Sequence, residues 1–270
     1  MTDSIRTKRI GRVAVITVDA PGSRNALTLD LSAQLTKAVT DAEQDENVHA
    51  LVVTGTPPAF CAGADLSTLG EAKEQGLRAI YDGFLAVARC ALPTIAAVGG
   101  AAVGAGLNLA LAADVRLAGP HAKFVARFLE LGIHPGGGMT WMIQHAVGRQ
   151  QAAAMTLFGE VLDADAAVRV GLALRLINGG HDELLEAALA LAGPAAEAPR
   201  KLVLATKQSM RRTRTLAEHS DAVDVEIVPQ LASLESPEFA ERLTSIRARI
   251  GGKWDKTALN EMGVTAEPPS

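Results

Sequence analysis

The chain has 270 residues, with 26 Lys and Arg against 30 Asp and Glu, a net charge of −4. That length allows one large domain or a domain with an appendage, and the charge excludes the basic field expected of a nucleic-acid binder. Aromatics at 3% are too few for base-stacking platforms, and two cysteines, Cys61 and Cys90, offer neither zinc nor disulfide spacing and fit a reducing compartment.

The first residues, MTDSIRTKRIG, carry no apolar core of a secretory signal, so a cytoplasmic protein is expected. Residues 12–19 (RVAVITVD) alternate and are β-rich, which predicts a strand. The turn PGSRNAL follows, then an apolar helical stripe through Leu29, Leu31, Leu35, Ala38, Val39 and Ala42. Residues 50–55 (ALVVTG) fit a strand buried on both faces. The loop FCAGAD and a polar stretch at 67–75 lead to a helix over about 76–91, which must end before Pro93.

Residues 93–116 organise the rest of the chain. They read as a buried strand (94–98), a turn of small residues, and a helix starting near Ala105. Small residues permit close backbone approach to a ligand, and a helix N-terminus points free N–H groups at it. Such N–H groups can stabilise an oxyanion. Residues 95–113 are uncharged, yet the run is mostly Ala and Gly and includes Asn108, so a buried strand–turn–helix is expected and not membrane insertion.

Short strands are predicted over 114–118 and 123–125, helices over 139–146 and 149–158, and a helix–turn–strand over 162–177. Alternating strands and helices predict an α/β domain. Residues 192–199 (AGPAAEAP) read as a linker. Beyond Pro199 only helices are predicted, over 201–213, 216–234 and 236–250, the last with Ser236 as N-cap and Pro237 at the first helical position. Domain boundaries are placed at 1–198 (core), 199–262 (helical region) and 263–270 (tail).

The loop at 59–66 (AFCAGADL) and the turn at 99–106 share their small-residue character about forty positions apart. Together with PGSRNAL, GIHPGGG (132–138) and LDADAAVRVGLALRLI (162–177), they resemble the paired signature of the crotonase superfamily, the enoyl-CoA hydratase/isomerase family. The resemblance covers roughly residues 10–180. It implies a ββα spiral core with a C-terminal helical region that builds homotrimers, often paired into hexamers. It also implies an acyl-CoA or enoyl-CoA substrate, with no cofactor beyond the coenzyme A the substrate carries, and no metal.

By position, the resemblance assigns the oxyanion-hole N–H groups to Ala64 and Ala105. Ala at the second place is acceptable where φ stays negative. Arg24, Ala26, Ala62, Asp65 and Leu66 fall where the family holds coenzyme A; Arg24 reads equally as a solvated turn residue, and Asp65 as a helix N-cap. A family hydratase activates water with two glutamates, and those places hold Asn108 and, twenty positions later, Phe128. Neither can act as a base, and each lost acid–base group typically costs about 10² to 10⁴ in rate, so two-glutamate hydration is expected to be poor.

Glu130 and His134 are candidate replacements; their bland readings are a solvent-facing carboxylate and a structural loop histidine. Asn108 can still hydrogen-bond substrate or water. Arg127 lies near the same loop, and Trp141 is expected in the core. Cys61 reads as a small buried filler. Two functions remain open: an enolate-stabilising acyl-CoA enzyme, or a non-catalytic acyl-CoA binding or carrier protein. A dinucleotide fold fails because Leu109 stands where the third glycine of its fingerprint belongs, and no G-x-S-x-G supports a serine hydrolase.

Overall fold

The structure is a computed structural model, and it describes residues 3–65 and 73–251. The readings placed at 66–72 and 252–270, including Leu66 and the tail, lie outside the described residues. So does the N-cap reading of Asp65, since the residues that would follow the cap are among them.

Among the described residues, ten strands form two sheets. The larger has the order β1 (Ser4–Ile10), β2 (Val13–Asp19), β3 (Ala50–Gly55), β5 (Thr94–Val98), β7 (Val115–Ala118) and β10 (Arg175–Leu176). Only β1–β2 is antiparallel; the remaining neighbours are parallel. The smaller sheet has the order β4 (Ala59–Cys61), β6 (Ala101–Val103), β8 (Lys123–Val125) and β9 (Leu162–Asp163).

The strands β2, β3 and β5 are apolar at almost every position because both faces of the larger sheet are covered. Successive side chains alternate between two cores. Ile16, Val53 and Val98 join the larger core; Val15, Val52 and Ala97 join the smaller one. Helix α1 (Leu29–Gln44) sends Leu31, Leu35 and Val39 into the larger core, and Thr28 caps it by accepting from the Leu31 N–H at 3.1 Å. Helix α2 (Glu74–Arg89) adds Phe84 and Val87 to the same core. Helix α3 (Ala105–Ala112) follows β6 and is buried nearly all round.

Helix α4 (Met139–Leu157) is broken at Gly148, whose φ of 75° and ψ of 170° separate the two helices expected from the sequence. Trp141 is not in the core as expected. Met139 and Ile143 face inward, so a residue two positions after Met139 points away, and Trp141 is 47% exposed and stacks on His145 with ring centroids 4.0 Å apart. Helix α5 (Ala164–Arg169) follows β9, completing the expected helix–turn–strand with β10.

The linker expected at 192–199 is also corrected: residues up to Glu197 belong to helix α6 (His181–Glu197). Pro194 removes one helical N–H, but Ala-rich turns favour the helix. Leu184, Ala188 and Ala192 bury against the larger sheet and hold it there. Helix α7 (Arg200–Thr213) is fastened by Arg200, which donates to the Glu43 and Val48 carbonyls, and by the buried Lys207. Lys207 Nζ reaches the Leu92 carbonyl at 2.6 Å and the Asp114 carboxylate at 2.5 Å.

The chain divides into two compact units, 1–207 and 208–270, so the division falls inside α7. In the second unit lie α8 (His219–Leu234) and α9 (Pro237–Gly251), and the Ser236 hydroxyl accepts from the Phe239 N–H at 3.2 Å, as an N-cap does. Helix α8 buries none of its residues within the chain.

The strands β1, β4 and β6 are not among the sequence-predicted elements. The last two are three-residue strands inside what reads as Gly/Ala loop, and they exist because they pair with one another. No helix of the described residues is long and apolar enough to cross a membrane; the uncharged run at 95–113 is β5, β6 and α3.

Candidate active site

Strands β4, β6 and β8 lie side by side and parallel, with Cys61 opposite Ala102 and Ala102 opposite Phe124. Three segments therefore leave the carboxyl ends of neighbouring strands on one edge: 62–65, 104–108 and 126–130. Ligands of α/β sheets bind at such an edge.

Two backbone features bring the first two segments together. A Cβ on Gly106 would lie 2.0 Å from the Cys61 carbonyl oxygen, so only glycine lets the first turn of α3 rest on β4. Gly63 holds φ at 112°, and a Cβ there would be 3.0 Å from the Val103 carbonyl and 3.9 Å from the Ala105 nitrogen. Ala64 and Ala105 thus sit on adjoining loops.

Their N–H groups share one property. Leu27 donates to the Gly63 carbonyl at 2.7 Å and Asp65 donates to the Leu27 carbonyl at 2.9 Å, which leaves the Ala64 N–H without an acceptor among the described residues. The first intrahelical bond of α3 runs from Asn108 to Gly104 at 3.0 Å, so the Ala105 N–H is one of the free donors at the helix start. Ala105 is helical and absent from the residues with positive φ, which meets the condition for alanine there.

The turn at 21–27 is tied to this loop through its backbone. The Ala62 N–H donates to the Arg24 carbonyl at 3.0 Å, and Leu27 bridges Ala64. Arg24 is exposed with φ of 54°, while Ala26, Ala62 and Asp65 are half-buried beside it. The residue that fixes the turn is one sequence reasoning missed. Asn25 is fully buried with φ of 61°; its Oδ1 accepts from the Ala20 N–H at 2.9 Å, and its Nδ2 donates to the Thr56 and Ala59 carbonyls, both at 2.8 Å. The available signal was Asn in a turn, where the left-handed region is tolerated.

Asn108, one turn into α3, is 1% exposed. Its Nδ2 donates to the Gly136 carbonyl at 2.9 Å, while Oδ1 has no hydrogen-bond partner. Phe128 is buried in the larger core at 9% exposure. Glu130 faces solvent and pairs with Arg127 at 3.2 Å, with 68% of its side chain exposed. His134 is exposed, with Nδ1 2.7 Å from the Pro135 carbonyl. The fold therefore brings Ala64, Ala105 and Asn108 onto one strand edge, whereas the Glu130 and His134 side chains lie at the surface.

Cys61 is buried, and that burial pushes its thiol up to about 12, against a weaker opposite effect of hydrogen bonding by the Gly63 backbone. It is a filler with no thiolate at neutral pH. Two residues of α2 belong to the neighbourhood although the sequence did not single them out. A Cβ on Gly136 would lie 2.1 Å from the Tyr81 hydroxyl, and one on Gly137 would lie 2.3 Å from the Phe84 ring and 2.9 Å from Asn108 Nδ2.

Two N–H groups without acceptors among the described residues thus lie on adjoining loops at the carboxyl edge of parallel strands of an α/β protein, beside a buried polar side chain. Comparison with known proteins makes this specific. Residues 8–241 match the family model described as enoyl-CoA hydratase/isomerase, and the chain belongs to that family. It is 56% identical over 246 residues to the "Probable enoyl-CoA hydratase EchA14" of Mycobacterium tuberculosis, covering 88% of this chain and 94% of that relative. It is 36% identical over 211 residues to the 2,3-dehydroadipyl-CoA hydratase of Escherichia coli, covering 76% and 81% of the two chains. The crystal structure of an enoyl-CoA hydratase from Polaromonas sp. JS666 superposes with a TM-score of 0.83 at 26% identity, covering 91% of this chain and 97% of that one. The fold is thus the crotonase type expected from the loop signatures.

Proposed function

We propose that this chain binds acyl-CoA thioesters and stabilises their enolate form through the N–H groups of Ala64 and Ala105. The observation that carries the reading is that both N–H groups are unpaired on adjoining loops of one strand edge. Two such donors aimed at a thioester oxygen do more for an enolate than for the neutral carbonyl, which is the condition for catalysis. Arg24, Ala26, Ala62 and Asp65 line the coenzyme A side, a role the family resemblance also assigns to Leu66, which lies outside the described residues, and nothing beyond the coenzyme carried by the substrate is required.

Hydration by two glutamates is a poor fit, because Asn108 and Phe128 stand at the corresponding positions. The exposed pairing of Glu130 with Arg127 and the His134 contact with its neighbouring carbonyl favour a second reading, a non-catalytic acyl-CoA binding or carrier protein. The protein acts in the cytoplasm, and the apolar face of α8 (Val228, Leu231 and Leu234, all exposed within the chain) builds a homotrimer or homohexamer. Sedimentation of the full chain tests the assembly, and a monomer would refute it.

Calorimetry with a crotonyl- to hexadecenoyl-CoA series, together with loss of enoyl absorbance, tests the function. Binding with slow hydration is expected. Hydration at the roughly 10 per second of a typical enzyme would overturn the assignment of Asn108 and Phe128. Absence of binding across the series would overturn the thioester site.

A further inference from the structure

Gly136 is approached from two sides. Asn108 Nδ2 donates to its carbonyl at 2.9 Å, and the Tyr81 hydroxyl lies where a Cβ on Gly136 would be only 2.1 Å away. Tyr81 is the chain's single tyrosine, held on α2 with its ring tilted against Phe84 at a centroid distance of 5.6 Å. Its hydroxyl makes no hydrogen bond among the described residues.

The Gly136 carbonyl settles the orientation of the Asn108 amide, since only the NH₂ end can donate to it. The carbonyl end is then the free one, and Oδ1 is buried without a partner. A buried acceptor left unpaired is costly, and native proteins seldom retain one unless water or a ligand supplies the donor.

We propose that Tyr81 and Asn108 form a neutral donor–acceptor pair that holds one hydroxyl oxygen beside the acyl group. The inference rests on the thioester site proposed above. Tyr81 lies against the residue whose carbonyl Asn108 bonds, and a single group that satisfies both would accept from the Tyr81 O–H and donate to Asn108 Oδ1. A carboxylate would face the Asn108 carbonyl unfavourably, and an ammonium would leave the Tyr81 hydroxyl proton without an acceptor. A hydroxyl does both.

The place of the pair follows from the helix. Asn108 lies three residues after Ala105, on the same helix face about 4.5 Å along the axis, and helical side chains lean back toward the N-terminus. A thioester oxygen on the Ala105 N–H therefore leaves the acyl carbons next to the carbonyl within reach of Asn108. The hydroxyl is either an alcohol on those carbons or a water molecule standing in for one.

The test measures binding of 3-hydroxybutyryl-CoA and butyryl-CoA by calorimetry, with crotonyl-CoA hydration followed in parallel, for the parent chain, Tyr81→Phe and Asn108→Leu. Tyr81→Phe removes only the oxygen and keeps the ring on Phe84. If the pair holds an acyl alcohol, the parent prefers the hydroxylated ligand by about tenfold, near the upper end for one added hydrogen bond. Tyr81→Phe then loses that preference while its affinity for butyryl-CoA stays unchanged, and Asn108→Leu loses the preference as well. If the pair holds water, the parent shows no preference, and both variants slow hydration by about tenfold or more, Tyr81→Phe at unchanged butyryl-CoA affinity.

A parent preference and hydration rate that both survive in Tyr81→Phe overturn the pair, whatever Asn108→Leu does to the fold. Failure of butyryl-CoA to bind the parent chain overturns the thioester site, and this inference with it.

Discussion

Replacing Ala105 by proline tests the proposed N–H pair at one atom. Ala105 is the first residue of α3, the helical position where proline is tolerated because its N–H has no intrahelical acceptor. Gly104 before it holds φ of 51° and ψ of −114°, outside the α region that a following proline disfavours. The substitution therefore removes a donor and leaves the helix, the Asn108 bond to Gly104 and the Gly106 contact with Cys61 in place. One hydrogen bond to the thioester oxygen in the ground state is worth about 0.5–1.5 kcal/mol, so affinity for butyryl-CoA should weaken roughly two- to tenfold. Loss of one oxyanion donor costs about 10² to 10³ in turnover, so exchange of the acyl α-protons with solvent deuterium, read by NMR, should slow by that factor. The thermal midpoint should move by no more than a few degrees. A folded Ala105→Pro protein that binds and exchanges like the parent would remove this N–H from the site and refute the reasoning.

Asn25→Ala strips partners from the backbone of Ala20, Thr56 and Ala59 at a fully buried, left-handed position. Unfolding in urea should show a loss of about 3 kcal/mol or more; a loss under 1 kcal/mol would mean water replaces the side chain. Lys207→Met leaves Asp114 bonded to Thr94 but without the ammonium that contacts it. Because the Asp114 side chain is 43% exposed, the loss should be about 2–3 kcal/mol by denaturant titration, below the range for fully buried pairs; an unchanged midpoint would refute the clamp. Burial holds His181 below the ordinary histidine value, outweighing the opposite pull of Asp182. The unfolded chain then takes up a proton the folded chain resists, so stability falls as pH drops through the ordinary histidine range. His181→Gln should flatten that part of a melting profile between pH 7.5 and 5.5, and an identical slope in both proteins would refute it.

The parts of this fold legible in the sequence are those fixed by local pattern. Residues 94–98 and 105–112 appear as the expected strand and helix because a short apolar run and a helix start behind a glycine are read within a few residues. Strands β4 and β6 were not legible, because three Ala- and Gly-rich residues become a strand only when a partner forty positions away lies beside them. The turn 21–27 was recognised as part of the site, but the weight carried by Asn25 depends on carbonyls more than thirty positions distant. Tyr81 was invisible for the same reason. Its helix was predicted, yet nothing local says that its hydroxyl meets Gly136. Trp141 shows the converse error: size suggested the core, and the helical phase set by Met139 and Ile143 decided otherwise.

The two halves of the site differ in what can alter them. Ala64 and Ala105 contribute backbone N–H groups, and the features that present them are the strand edge and the glycines at 63 and 106, not side-chain chemistry. In the proposed reading, the half that would move protons is made of side chains, with positions 108 and 128 assigned to it. At 108 the surrounding backbone is matched to the residue present: the Gly136 carbonyl points at the side chain and meets an N–H donor. A buried carboxylate there would turn an oxygen toward that carbonyl, and the bond would become a repulsion. The 134–138 loop is therefore arranged around an amide, and placing a glutamate at 108 alone would conflict with the loop it enters. This is why the site is read as one fitted to neutral hydrogen bonding, not as a two-carboxylate site with its residues missing.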